Sequence, residues 1–254
     1  MFGSFQPTAF DLRFRVLRFP VTVSPWFWLT AVLLGESIVR ALGPQFLLLW
    51  VACVFASILV HELGHAVVYR LFRVEASIAL IAFGGLAMPD RPVHRWRQIA
   101  VSLAGPGVQL VIVGLLYVSQ KSTGWAAANN YTAATFLFLF NINLWWALFN
   151  LLPIWPLDGG KVSREVWHML GLRRADVTTF GISMVTAGTL AVFGLMLVLR
   201  QDPGPWLSWI PFRPGPFGTF FLALMAYESY VLMSQASRPL GWDDGPDDYD
   251  RRWR

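Results

Sequence analysis

Fifteen consecutive residues, Phe46 to Val60, carry no charge, and they run directly into His61-Glu62-Leu63-Gly64-His65. The apolar stretch extends from Gln45 to about Phe72, longer than the ~20 residues a membrane-spanning helix needs. On a helix, His61 and His65 stand at i and i+4 on one face, where both imidazoles can reach a single zinc ion. Glu62 can then act as general base toward a water activated by the metal. Each ionisable group at membrane depth costs ~2.5–3.5 kcal/mol or more, so such a cluster marks a functional site.

The rest of the chain supports a membrane setting. Of 254 residues, 56% are hydrophobic and only 14% are charged, with a mean hydropathy of +0.51; soluble domains carry roughly 25% charged residues. Six candidate spans follow, at about 25–42, 45–72, 97–119, 132–153, 176–200 and 217–235. The predicted fold is an all-α polytopic membrane protein with six transmembrane helices and a small membrane-surface β element. Glu36 and Arg40 shorten the apolar part of the first span. The net charge of +5 is scattered over several loops, which argues against a nucleic-acid partner and for a topological signal. Cys53, the single cysteine, excludes an internal disulfide and a cysteine-based zinc site. Residues Met1 to Pro20 hold Arg13, Arg15 and Arg18 but no continuous apolar core, so no cleavable signal peptide is expected.

With the N-terminus placed in the cytoplasm, sixteen of the twenty Lys and Arg residues fall in inside segments. Only Arg40, Lys121, Arg200 and Arg213 fall outside. The positive-inside rule therefore predicts a multi-pass protein of the cell membrane with both termini cytoplasmic. Residues 1–24 form a cytoplasmic segment with a surface strand, 25–235 a six-span core, and 236–254 a disordered, acidic and basic tail. The strand is read from the alternation in Leu12–Val23. Val74–Met88 reads as a hairpin bent at Gly84-Gly85, and the two pieces are expected to form a small sheet on the cytoplasmic side. Asp202–Pro216, with five prolines and two tryptophans, reads as an interfacial loop.

HExxH supplies two metal ligands, and a zinc hydrolase usually has three. The better third candidate is Asp158, in Asn150-Leu151-Leu152-Pro153-Ile154-Trp155-Pro156-Leu157-Asp158-Gly159-Gly160. Pro153 and Pro156 end the preceding span, and the two glycines allow a turn and close approach. The second and fourth spans run in the same direction, so His61, His65 and Asp158 come to the same side of the membrane.

HELGH on one predicted span, Gly105-Pro106 on the next and NLLPIWPLDGG after the one following resemble the site-2 protease family of intramembrane zinc metalloproteases. The strand leading into Trp26-Phe27-Trp28 and the Phe83-Gly84-Gly85 element are similar too. The likeness covers about Phe14 to Lys161 and implies a short form without PDZ or CBS domains. It implies one zinc ion per chain held by His61, His65 and Asp158, with Glu62 as catalytic base. It also implies that Asn150 handles the substrate backbone, and that the substrate is a transmembrane or membrane-proximal segment of another protein in the bilayer. Gln109 departs from the pattern, since relatives often carry Asn or another small polar residue there.

Other polar residues have plainer readings. Cys53 reads as a packing residue, Gly105-Pro106-Gly107 as a kink and close-packing point, and Asn141 and Asn143 as bridges between helices. His94 and His168 read as loop residues, and Lys161 and Arg164 as cytoplasmic anchors. Glu228, in the sixth span about seven residues or ~10 Å from its cytoplasmic end, is either a structural carboxyl or part of a gate, a water path or the support behind the metal ligands. Two competing functions are a zinc-binding membrane protein without protease activity, such as a transporter or scaffold, and a prenyl-protein-trimming metallopeptidase with a Glu as third ligand. The base beside the first histidine counts against the former, and the LDG segment against the latter.

Overall fold

A computed structural model of the chain describes residues 8–82, 84–201 and 214–237. The chain divides into two units, residues 1–165 and 166–254. The Pro-rich segment 202–213 and the tail beyond Ser237, both singled out in the sequence, lie outside the described residues.

The first unit begins with a four-stranded sheet in the order β1-β2-β3-β4. Strands β1 (Leu12–Val16) and β2 (Phe19–Val23) form a hairpin, so the expected single strand over 12–23 is folded back on itself. Leu17 and Arg18 turn it with φ of 50° and 72°, the handedness that matches strand twist in two-residue loops. Strands β3 (Ala76–Ile81) and β4 (Gly84–Pro89) form the second, expected hairpin, which turns at Gly84 with φ of 133°. Only glycine takes that conformation readily. β2 and β3 are parallel, and a parallel pair needs a long crossover. Here the crossover is helical: α1 (Pro25–Leu34), α2 (Glu36–Leu42), a short 3-10 turn at Pro44–Phe46 and α3 (Leu47–Leu71).

Among the described residues five helices are long and apolar enough to cross a membrane, not six. The expected first span, 25–42, is broken at Gly35 into α1 and α2. At 1.5 Å per residue these are about 15 Å and 10 Å long, against a hydrocarbon core of ~30 Å. They run antiparallel to the first half of α3: Trp28 stacks on Phe55 at 5.1 Å, and Trp50 Nε1 donates to the Ala31 carbonyl at 3.0 Å. Gly35 meets the Leu47 and Trp50 side chains, leaving no room for a Cβ. The second half of α3 packs on the sheet instead. Phe19, Val21 and Val23 from alternate positions of β2, with Ile78 and Leu80 of β3, share a buried core with Ile58, Ala66 and Tyr69. The sheet thus lies alongside the helix turn that carries the histidines.

Three further helices complete the unit: α4 (Arg95–Thr123), α5 (Asn130–Asn150) and most of α6 (Asp158–Met169). A capping box between Asn129 and Thr132 starts α5. α5 ends at Asn150, earlier than the expected boundary, and the bend 151–157 leads into α6. That bend is anchored by Ile154, which is fully buried, while its other residues are half-buried. α3 and α4 approach closely at Gly64, where a Cβ would lie 2.8 Å from the Ala104 carbonyl oxygen.

In the second unit α7 (Ala175–Val198) and α8 (Pro216–Ala236) form an antiparallel pair. Gly181 faces Met233, Gly188 faces Ala226, and Gly194 lies against Thr219 and Pro214. Small residues at such intervals let helix backbones close in apolar surroundings.

Gly64→Ala should drive α3 and α4 apart and lower stability by about 1–3 kcal/mol, the usual cost of overpacking. Gly107→Ala on α4, where a Cβ meets nothing within 4 Å, should be neutral or gain up to ~1 kcal/mol in helix propensity. Thermal unfolding of the two variants in detergent reads the difference.

Candidate metal centre

His61, Glu62 and His65 face the interior of the first unit from α3, with exposures of 2%, 4% and 5%. The Nε2 atoms of the two histidines are 3.1 Å apart, and each is 3.2 Å from Asp158 Oδ2. Among the described residues these three form the group of side chains able to hold a metal ion. A tetrahedral site with bonds of ~2.0–2.1 Å separates its ligand atoms by about 3.3 Å, close to the spacing here. Asp158 Oδ2 is buried without a well-aligned hydrogen-bond donor. Three lone pairs aimed at one another repel unless a cation stands among them, so the donor set fits a metal.

The neighbours hold this arrangement in place. His65 Nδ1 donates to the Val101 carbonyl at 2.7 Å, and His61 Nδ1 lies 2.9 Å from Gln109 Oε1. Both Nδ1 atoms thus face oxygens, leaving each Nε2 free for a ligand role. Val101, Gly105 and Gln109 are spaced four apart, one stripe of α4. Gly105 sits flush on the rings: a Cβ there would overlap His65 Nε2 and lie 2.8 Å from His61 Cε1. Asp158 opens α6, and Gly159 and Gly160 press on the carbonyls of Leu151, Leu152 and Ile154 where no Cβ would fit. Lys161, one turn on, places Nζ 3.2 Å from Asp158 Oδ1. It occupies the oxygen that points away from the histidines. Burial pushes the Asp158 carboxyl upward, and the Lys161 ammonium at Oδ1 acts against it to favour the ionised carboxylate. Glu62 lies against Gly85 of β4, again with no space for a Cβ, and accepts a hydrogen bond from the Ala87 backbone N–H.

The structure therefore brings His61, Glu62, His65 and Asp158 together. Asn150 is buried at the end of α5, with its amide donating to the Trp146 carbonyl at 2.9 Å. Asn143 bridges helices as expected, donating to Ser57 Oγ at 2.9 Å, whereas Asn141 bonds its own helix at Leu137. Cys53 is buried packing. His94 is the residue before α4 and makes no side-chain capping bond, and His168 pairs with Asp176 at 3.0 Å. Glu228 is half-buried on α8 of the second unit. Lys161, read from the sequence as a surface anchor, is half-buried and places its ammonium on Asp158. Gly105 serves the histidine rings rather than a kink alone. The 101-105-109 stripe and the three-residue step from Asp158 to Lys161 are the sequence signals that could have found these partners.

Gly105→Ala should displace both imidazoles and lower the capacity of the purified protein to retain metal at least tenfold, the range seen when ligand support is lost. Metal content by elemental analysis after dialysis, compared with Gly107→Ala, checks it.

The chain matches the family model of Peptidase family M50 over residues 49–125 and 112–195, together more than half its length. It is 30% identical over 187 residues to a zinc metalloprotease of Methanocaldococcus jannaschii, covering 72% of this chain and 53% of that one. It is 31% identical over 216 residues to the stage IV sporulation protein FB of Bacillus subtilis, covering 83% and 66%. The chain spans between 39% and 66% of the length of such curated relatives. Its fold is similar to that of a solved site-2 protease from Methanocaldococcus jannaschii, with a TM-score of 0.55 at 22% identity over 93% of this chain and 99% of that one. With the HExxH helix inside the matched region, the chain belongs to Peptidase family M50.

Proposed function

We propose that the protein is a zinc-dependent intramembrane endopeptidase that hydrolyses peptide bonds in or near transmembrane segments of other membrane proteins. The observation that carries this reading is the buried triangle of His61, His65 and Asp158 with Glu62 beside it. His61 Nε2, His65 Nε2 and one oxygen of Asp158 hold the ion, one per chain. When bound, zinc supplies a Lewis acid that lowers the pKa of water toward ~7 and polarises a carbonyl.

The residues of the chain do the rest. Glu62 takes the proton of the attacking water on its carboxylate and returns it to the leaving amine. Asn150 handles the substrate backbone and helps bind the oxyanion. A peptide bond within a spanning helix is protected by its own hydrogen bonds, so the substrate must unwind locally. β4 is an edge strand, and Glu62 lies against its Gly85 and Ala87. An unwound substrate strand adding to that edge would pass beside the base.

Glu62→Gln should retain one zinc per chain while proteolysis of a membrane substrate falls to background, whereas Asp158→Ala should lose both. The two readouts are metal analysis and a cleavage assay in reconstituted membranes. Zinc binding without cleavage in the wild type against quantitative membrane proteomics would favour a transporter or scaffold.

The same reading places both termini and the site toward the cytoplasm in the cell membrane. For the first unit the parallel β2–β3 pair supports an N-terminal hairpin on the same side as the metal group: α1 and α2 lead away from the sheet and α3 returns to it. In a Cys53→Ser background, Lys121→Cys should react with an impermeant thiol reagent from outside intact cells, and Arg95→Cys should not. The opposite pattern would invert the topology.

A further inference from the structure

Gln109 touches the metal group, and the proposed mechanism makes no use of it. It is fully buried on α4. Its side-chain Nε2 donates to the Ser57 carbonyl at 3.3 Å, and its Oε1 lies 2.9 Å from His61 Nδ1. A carbonyl oxygen only accepts, so the amide NH2 must face Ser57 and the amide oxygen must face His61. That oxygen also only accepts, so Nδ1 of His61 must carry the proton. The reversed amide would set two acceptors against each other in a buried place, at a cost of about 1–3 kcal/mol for the unmade bond.

We propose that Gln109 is a positioning residue of the metal site: it holds His61 in the Nδ1–H tautomer and so turns the Nε2 lone pair toward Asp158 and His65. The inference rests on the zinc reading given above. Ser57 lies one turn before His61 on α3, so Gln109 fixes the ligand relative to its own helix. Ser57 is itself held from α5, where Asn143 Nδ2 donates to its hydroxyl at 2.9 Å. The two histidines therefore differ in kind. His65 is oriented by a main-chain carbonyl, that of Val101, which no substitution removes. His61 is oriented by a side chain, and substitution there changes the donor strength of one ligand without touching the other. Without an acceptor at Nδ1, a neutral His61 gains by moving its proton to Nε2, the atom that must face the ion. A conserved orienting partner is typically worth 10–100-fold in metal affinity.

The test is zinc affinity of the full chain in detergent, by competition with a chelator, for wild type, Gln109→Met and Gln109→Glu. Met keeps the volume and removes the acceptor, and Glu keeps an acceptor in the same place. The expected result is a 10–100-fold weaker zinc affinity for Gln109→Met, with Gln109→Glu within a few-fold of wild type. Wild-type affinity in Gln109→Met would overturn the proposal, as would an equal loss in both variants, which would assign the effect to packing. If wild type binds no zinc, the metal reading itself fails, an outcome distinct from either. Should neither variant fold, zinc-loaded wild type with 15N-labelled histidine decides. An exchange-protected His61 Nδ1 proton close to the Gln109 side-chain amide supports the assignment, and its absence rejects it.

Discussion

Three buried ligand atoms aimed at one another set the terms for the rest of the first unit. Left alone, the two Nε2 lone pairs and Asp158 Oδ2 would repel and the side chains would rotate apart. They stay because each is held from behind: His65 by the Val101 carbonyl, His61 by Gln109, and Asp158 by Lys161. The ligands are buried, so each of these bonds is worth more than at a surface, and each missing one would cost more. The site is pre-organised from outside inward.

Close approach is the second requirement, and glycine provides it at each contact that matters. Gly64 brings α3 against α4, Gly105 admits the imidazoles, Gly85 admits Glu62, and Gly159 and Gly160 seat α6 on the preceding bend. The hydrophobic effect does not draw helices together in lipid, so packing at small residues has to. The same device pairs α7 with α8 in the second unit through Gly181, Gly188 and Gly194. Backbone hydrogen bonding is a third constraint. The sheet and the bend 151–157 are non-helical, and each is anchored by buried side chains. The alternating residues of β2 and β3 are buried against α3, and Ile154 is fully enclosed.

Residue spacing by itself determined much of this protein. Apolar runs of ~20 residues can only be helices in a bilayer, so α3, α4, α5, α7 and α8 were legible within a few residues of their ends. The four-residue step from His61 to His65 and the turn residues around Asp158 named the metal group before any coordinates. The second hairpin was legible through the glycines at 84 and 85, whereas alternation in 12–23 showed extended chain but not the turn at Leu17 and Arg18. Tertiary structure alone decided the pairing of β2 with β3, because parallel register depends on where α3 returns the chain. It also decided that 25–42 is two short helices, since Gly35 is pressed against Leu47 and Trp50. The supporting shell of the site belongs to the same class. Gln109, Val101 and Lys161 act through distances to residues far along the chain or through side-chain direction, and neither is encoded in local spacing.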